Sequence, residues 1–311
     1  MPSENYLPRF ATRQIETAGA RIHLATGGSG SPLLLLHGHP QTHLTWHKIA
    51  PRLAKRFTVV APDLRGYGDS AKPDGGERHV NYSKRAMAAD QVEVMRALGF
   101  ERFAVVGHDR GGRVAHRMVL DHPGAVERIA VLDIAPTATM YARTTKEFAT
   151  RYLWWFFLIQ PAPLPERLIG ADPEFFLRTH IEGQSKTPGS TSEALFQEYL
   201  RCYLDPATRH AICEDYRAAA TIDLDHDAAD VDRRITAPLL ALWGAKGTVG
   251  QLYDVLETWR EKALDVRGQA LDCPPIQFCE RRNSPGLFVP PRPLSSRRAC
   301  ISQMSRSERG S

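Results

Sequence analysis

The chain has 311 residues, 42% of them hydrophobic and 24% charged, and a net charge of +5. That composition is typical of a globular protein with one large core, and no apolar run approaches the roughly 18 residues of a membrane span. From Asp272 onward, seven arginines face three acidic residues, so the positive charge is local and we expect neither a nucleic-acid partner nor membrane insertion.

Continuous apolar runs alternate with helical stretches along the first part of the chain, which is typical of a mostly parallel sheet covered by helices. Strands are predicted at 32–36, 57–61, 103–106, 129–132 and 238–243, with one more within 263–271. Between the fourth and fifth runs lies an aromatic-rich segment with helical spacing between its prolines. The sequence therefore predicts an α/β fold with its core in residues 1–136 and 228–271 and a helical cap inserted at 137–227.

Residues 272–311 differ in composition from the rest of the chain. They hold six prolines, seven arginines and three of the five cysteines, without apolar periodicity. This composition predicts a disordered tail. Five cysteines cannot all pair within the chain, and the first residues lack the order of a signal peptide, so we expect a cytoplasmic protein.

Asp109 lies in the pattern Gly107-x-Asp109-x-Gly111, after an apolar strand and before a helical stretch from Gly112 to about Asp121. This context is that of a nucleophile elbow, in which glycines allow strand and helix to approach closely. An ordinary glycine-rich turn is the alternative interpretation. An aspartate carboxylate is normally ionised at neutral pH and can attack a saturated carbon without a base. Such an attack ejects a halide or opens an epoxide and leaves an aspartyl ester.

The stretch His37-Gly38-His39-Pro40 follows the first buried strand. It matches a loop that supplies a backbone N–H to an oxyanion hole, for which the N–H of Arg110 would be the second donor. Further histidines stand at positions 43 and 47. Because no acidic or cysteine partner is evident for these histidines, we expect no metal, and we expect no cofactor.

Arg110 and Arg113 lie one helical turn apart at the predicted start of a helix, where the helix dipole disfavours cations. The arrangement is explained if two guanidinium forks hold a second anion whose neighbouring carbon faces Asp109. This favours a substrate that bears a carboxylate. A pair of solvated arginines is the alternative.

Four stretches together resemble the haloacetate and fluoroacetate dehalogenases, a branch of the α/β-hydrolases beside the soluble epoxide hydrolases. They are His-Gly-x-Pro at 37–40, Asp-Leu-Arg-Gly-Tyr-Gly-Asp-Ser at 63–70, His-Asp-Arg-Gly-Gly-Arg at 108–113 and Trp-Phe-Phe-Leu-Ile-Gln-Pro at 155–161. The resemblance spans about residues 5–271 and implies the α/β-hydrolase fold. It also implies a homodimer.

The resemblance implies a role for each of six residues. Asp109 is the nucleophile, Arg110 and Arg113 bind the substrate carboxylate, Asp133 orients a catalytic histidine, and Trp155 and Tyr216 bind the halide. An indole N–H and a phenol O–H are suitable donors to a departing anion. As alternatives, Asp133 caps a helix or turn, and the two aromatic residues belong to the core.

The sequence departs from the family pattern at two places. Trp154-Trp155 replaces a His-Trp pair, which removes a potential donor and makes chloro- or bromoacetate a better candidate substrate than fluoroacetate. Where the family has a Gly-His step after its last strand, this chain reads Ala270-Leu-Asp-Cys273, and His226 is its last histidine. The composition that follows resembles an out-of-frame reading of coding DNA.

The leading hypothesis is therefore a hydrolytic haloacid dehalogenase whose ester hydrolysis is impaired, because a general base typically contributes about 100- to 10,000-fold. A soluble epoxide hydrolase is the alternative enzyme. The alternative outside enzymes is an inactive remnant that binds haloacids or is alkylated by them.

Overall fold

A computed structural model describes residues 6–185 and 191–272. Eight strands within these residues form one sheet in the order β1-β2-β4-β3-β5-β6-β7-β8. The strands are β1 (Ala11–Glu16), β2 (Arg21–Gly27), β3 (Ser31–Leu36), β4 (Phe57–Pro62), β5 (Phe103–His108), β6 (Val126–Leu132), β7 (Leu239–Gly244) and β8 (Val266–Leu271). β1 and β2 pair antiparallel with their neighbours, and the other strands are parallel. The predicted α/β-hydrolase fold is confirmed.

Helices flank the sheet and fill the connection between β6 and β7. Those outside this connection are α1 (Ala50–Leu53), α2 (Lys84–Ala97), α3 (Arg110–Asp121), α12 (Thr248–Leu252) and α13 (Val255–Arg260), with 3-10 turns at His43–Trp46 and Glu77–Tyr82. Those within it are α4 (Thr137–Ala142), α5 (Lys146–Arg151), α6 (Leu153–Phe157), α7 (Leu164–Ala171), α8 (Pro173–Ser185), α9 (Glu193–Leu204), α10 (Pro206–Ala220) and α11 (Ile222–Ala229). We call this second group the helical insertion; that it caps the site, with the predicted boundaries, stays a prediction.

The apolar runs became strands because the middle of the sheet is covered on both faces. The last four residues of β3 and of β6 are buried, and α3 packs against β3, β5 and β6. β1 escaped prediction because its residues are mostly exposed and polar. No helix of the described residues is long and apolar enough to cross a membrane. The predicted disordered tail, apart from Asp272, lies outside the described residues.

The register of the central strands places two candidate catalytic residues next to each other. His108 at the end of β5 pairs with Leu132 at the end of β6. The residues that follow, Asp109 and Asp133, therefore leave the sheet side by side at its carboxyl edge, where ligands of open α/β sheets bind.

Candidate active site

Asp109 occupies the sharp turn between β5 and α3 in a conformation that L-residues seldom adopt, with φ 45° and ψ −115°. Two glycines make the turn possible. A Cβ on Gly107 would lie 2.4 Å from the carbonyl oxygen of Gly111, and a Cβ on Gly111 would lie 2.4 Å from that of Leu36. A strained turn that its surroundings hold in place is typical of a functional site.

The loop 37–40 touches the Asp109 side chain. The backbone N–H of His39 donates to Asp109 Oδ2 at 3.0 Å, and a Cβ on Gly38 would lie 2.6 Å from the Asp109 Cβ. The loop, whose His39–Pro40 peptide is cis, thus places one backbone N–H at the Asp109 carboxylate, and its role in an oxyanion hole stays a prediction. The second donor, the Arg110 N–H, stays a prediction.

The ring of His37 supports this loop from beneath. Its Nε2 accepts from the Leu64 N–H at 2.9 Å, while its Nδ1 lies 3.0 Å from the Gly38 carbonyl oxygen. This pattern fits a neutral ring with the proton on Nδ1, and burial lowers the pKa of His37. We conclude that the loop is locked in position by the core.

The guanidinium of Arg110 is fully buried and largely committed to a residue that the sequence did not reveal. Its Nε and Nη2 donate to the two carboxylate oxygens of Asp215 at 2.8 and 2.7 Å. Burial alone would lower the pKa of Arg110, but Asp215 outweighs it and raises that pKa well above the usual value. Two of the three guanidinium nitrogens of Arg110 are therefore already occupied by Asp215, and the predicted role of Arg110 in binding a substrate carboxylate stays a prediction. Only Nη1 is buried without a partner among the described residues.

Arg113 is a buried cation with neutral partners. Its Nη1 donates to the Ala135 carbonyl oxygen at 3.1 Å and to Thr137 Oγ1 at 2.9 Å, and its Nη2 lies 3.4 Å from Met140 Sδ. Its Nε is buried without a partner among the described residues. Burial lowers the pKa of Arg113, and the charge of Asp109 partly opposes this. The alternative of two solvated arginines is wrong, since both are buried.

The two predicted halide donors each cover one arginine. The ring of Tyr216 lies 4.2 Å from the Cζ of Arg110, and the ring of Trp155 lies 4.5 Å from that of Arg113. Both aromatic residues are buried. Burial, with the charge of Asp109, raises the pKa of Tyr216 well above its usual value, so its hydroxyl remains a donor. Their halide-binding role stays a prediction.

Asp133 follows β6 with φ 58° and is buried. Its Oδ1 accepts from the Gly244 N–H of β7 at 3.2 Å. Helix α4 has Pro136 at its N-cap, so the carboxylate faces a neighbouring strand rather than capping that helix. Burial raises the pKa of Asp133 to about 7, and the nearby charge of Asp109 adds to the rise.

The position expected for the catalytic histidine follows β8. It is occupied by Asp272 and Cys273, and from Cys273 onward the chain lies outside the described residues. No histidine follows His226 in the sequence. That the active site lacks a catalytic histidine stays a prediction.

A second cluster of polar residues involves the histidines before α1. Asp63 accepts from both the backbone N–H and the Nδ1 of His43, each at 2.8 Å, and from the Asp69 N–H at 3.0 Å. His23 lies close enough to this pair for the three to bind a metal ion. The expectation that no acidic partner accompanies the histidines of this region was wrong for His43, which is paired with Asp63. Three N–H groups already donate to the carboxylate of Asp63. We conclude that the cluster stabilises the loop 63–70.

The fold and the site define an α/β-hydrolase. The chain belongs to that family, whose model, described as alpha/beta hydrolase fold, matches residues 31–274. A fluoroacetate dehalogenase from Burkholderia sp is 47% identical over 264 residues, which cover 84% of this chain and 86% of the relative. A soluble epoxide hydrolase from Corynebacterium sp. (strain C12) is 35% identical over 257 residues, which cover 82% of this chain and 86% of the relative.

A solved structure has the same fold. A Salmonella enterica protein provisionally described as an acyltransferase matches with a TM-score of 0.88 and 62% identity, over 89% of this chain and 92% of that one. The predicted family resemblance is confirmed.

Proposed function

We propose that this chain attacks small 2-haloacids through Asp109, releasing halide and forming an aspartyl ester. A carboxylate oxygen of Asp109 attacks the carbon that bears the halogen, and the carbon–halogen bond breaks with its electron pair leaving on the halide. The His39 N–H at 3.0 Å from Oδ2 holds the nucleophile in place. The 47% identical fluoroacetate dehalogenase supports this choice of chemistry.

The observation that carries the proposal is the burial of Arg113 beside Asp109 without an acidic side-chain partner among the described residues. Isolated buried charges are unfavourable unless a counter-charge is supplied. The carboxylate of a haloacid would supply one, with Arg113 Nε and Arg110 Nη1 as free donors. A haloacetamide, which is the nearest neutral analogue, would supply no counter-charge.

Release of the product requires a second step. Water must add to Cγ of the Asp109 ester, expel the 2-hydroxy acid and lose a proton to a base. No histidine follows His226, so we propose that this step is slow and that the chain reacts about once. A frameshift after codon 273 would explain the missing histidine. Resequencing the gene tests this, and an intact reading frame would exclude the explanation.

Counting halide ions per chain tests the proposal. We expect bromoacetate to release at most one bromide per chain through Asp109, with a carboxymethyl group left on the peptide that contains it. Hydroxylamine should remove this group, because it cleaves an ester but not an alkylated cysteine. The Asp109→Asn variant is the matched control and should give no such adduct. Sustained bromide release by the unmodified chain would contradict the missing base, and an unlabelled Asp109 would contradict the whole proposal.

An epoxide hydrolase remains the second candidate. It is supported by the 35% identical relative and by Tyr216, whose protonated hydroxyl could protonate an epoxide oxygen. A neutral epoxide gives no reason for the buried cation at Arg113. Turnover of styrene oxide that is insensitive to Arg113→Met, together with inactivity toward haloacids, would favour this candidate.

A homodimer, a cytoplasmic location and the absence of nucleic-acid partners are kept as part of the proposal. Light scattering of the purified protein tests the first of these. An inactive remnant that only binds haloacids predicts no bromide release through Asp109. A remnant that is alkylated predicts a single bromide and an adduct that never hydrolyses, so slow loss of the Asp109 adduct distinguishes the enzyme from it.

A further inference from the structure

A buried imidazole of the helical insertion, which the chemistry above does not use, lies close to the nucleophile. His180 of α8 is 4% exposed. Its ring meets the ring of His39 edge to face, with centroids 4.7 Å apart, and the His39 N–H holds Asp109. Asp109 is also close enough for its negative charge to raise the pKa of His180, although burial lowers that pKa more. His180 therefore lies one residue away from the nucleophile, on the side of the insertion.

One ring nitrogen of each imidazole lacks a hydrogen-bond partner within the part of the chain that the structure describes. Nδ1 of His180 and Nδ1 of His39 are both buried without a hydrogen-bond partner among the described residues. A buried polar atom without a partner is unfavourable, so such atoms are uncommon unless water or a ligand completes their hydrogen bonds. The Nε2 of His39 lies 3.5 Å from the hydroxyl of Tyr203, which is a weak contact.

The charge state of the pair suits a neutral donor. Burial lowers the pKa of His180 to about 4, against the opposing field of Asp109, and burial lowers that of His39 well below its usual value. At neutral pH each ring then carries one N–H and one acceptor nitrogen. The arginines already provide the positive charge that a carboxylate needs. A departing halide needs donors, and Tyr216, a predicted halide donor, contacts the same His39 ring at 5.4 Å.

Trp154 fixes the position of His180. Its ring lies 4.3 Å from the imidazole, centroid to centroid, and also contacts Phe176 at 5.2 Å. Because His39 packs against another side of the ring, the His180 imidazole has little freedom to move. Sequence reasoning missed His180 because it lies 71 residues after Asp109 in a segment without a motif.

We propose that His180 donates an N–H to the departing halide and so sets the leaving-group preference of the first step. This inference rests on the proposed function, because it needs Asp109 to displace a halide. In that step the halide gains the electron pair of the carbon–halogen bond, and a neutral donor stabilises the growing charge without transferring its proton. The donor matters most for chloride, which accepts hydrogen bonds more strongly than iodide.

The test measures the first turnover of chloro-, bromo- and iodoacetate by rapid quench with His180→Leu and His180→Gln. We expect His180→Leu to slow chloride release by about tenfold, the value of one hydrogen bond, with a much smaller effect on iodide. His180→Gln retains an N–H donor and should restore most of the chloride rate. It also shows whether a loss in the leucine variant comes from the donor or from misfolding, which circular dichroism checks directly.

Two outcomes would overturn this inference alone. One is equal slowing, or no slowing, for all three halides. The other is unchanged halide release with slower loss of the Asp109 adduct, which would make the imidazole act on water. If the unmodified chain forms no adduct and releases no halide, the proposed function fails as well, and the two failures are thereby distinguished.

Discussion

Arg113 illustrates how a single residue can indicate the charge of a ligand. Its guanidinium donates to a backbone carbonyl and a hydroxyl, which are neutral acceptors, and its Nε has no partner among the described residues. Arg110, one turn away, has its counter-charge in Asp215. The two arginines look equivalent in sequence, yet the structure predicts that Arg113 contributes more to the binding of an anion.

We therefore expect Arg113→Met to slow the first turnover of chloroacetate by about 10- to 150-fold, the value of a hydrogen bond to a charged group. Chloroacetamide, which lacks the carboxylate, should be affected far less. Rapid-quench halide assays on the two substrates measure the ratio. Arg102→Met is the matched control, because that side chain is exposed. Equal losses on the two substrates would contradict a carboxylate clamp.

Residues next to the elbow could be predicted, whereas their partners could not. Asp109, Arg110 and Arg113 were identified because a local strand-turn-helix pattern fixes their relative positions. Asp215 lies 105 residues after Arg110, in a helix whose spacing does not indicate which core residue it meets. The contact depends on how the insertion folds back, and no local pattern encodes that.

At the scale of elements, a buried ionic network joins the helical insertion to the core. Asp215 of α10 binds Arg110 of α3 and Lys84 of α2, and it accepts from the Tyr67 hydroxyl at 2.7 Å. Arg110 and Lys84 hold the pKa of Asp215 far below its usual value, although burial alone would raise it. The network fixes α10, and thereby Tyr216, relative to the elbow.

Asp215→Asn should lower the free energy of unfolding by about 3–5 kcal/mol, because it leaves the buried Arg110 without its counter-charge, while Lys84 keeps Asp223 at 3.3 Å. Urea denaturation measures the loss. Asp225→Asn is the control: its ion pair with Arg78 is exposed, so a change below about 1 kcal/mol is expected. If both variants lose the same small amount, the network does not hold the insertion in place.

The sequence identified those strands that are buried on both faces, because burial requires a continuous apolar run. Continuous apolar runs identified β3 to β7 within a few residues, because both faces of those strands are covered. β1 lies at the edge of the sheet with mostly exposed, polar residues, whereas β2 alternates buried apolar residues with polar ones, so neither strand leaves such a run. The lack of a continuous apolar run, rather than weak strand propensity, explains the omission.

At the scale of the whole molecule, Asp133 links stability to pH. Its folded pKa is raised from 3.8 to about 7, first by burial and then by the charge of Asp109. The folded protein therefore keeps a proton that the unfolded chain loses. The resulting stabilisation is fully present below about pH 4, decreases as pH rises toward 7, and is lost above the folded pKa.

Asp133→Asn removes this dependence and retains an oxygen that can accept from the Gly244 N–H. Between pH 4.5 and 8, we expect the free energy of unfolding of the unmodified chain to fall relative to this variant by on the order of 3 kcal/mol. Urea denaturation across that range gives the difference, from which groups common to both proteins cancel. Asp109→Asn should move the midpoint of the fall to lower pH, because it removes the charge that helps to raise the pKa of Asp133. A difference that stays constant across the range would show that Asp133 keeps an ordinary pKa in the fold.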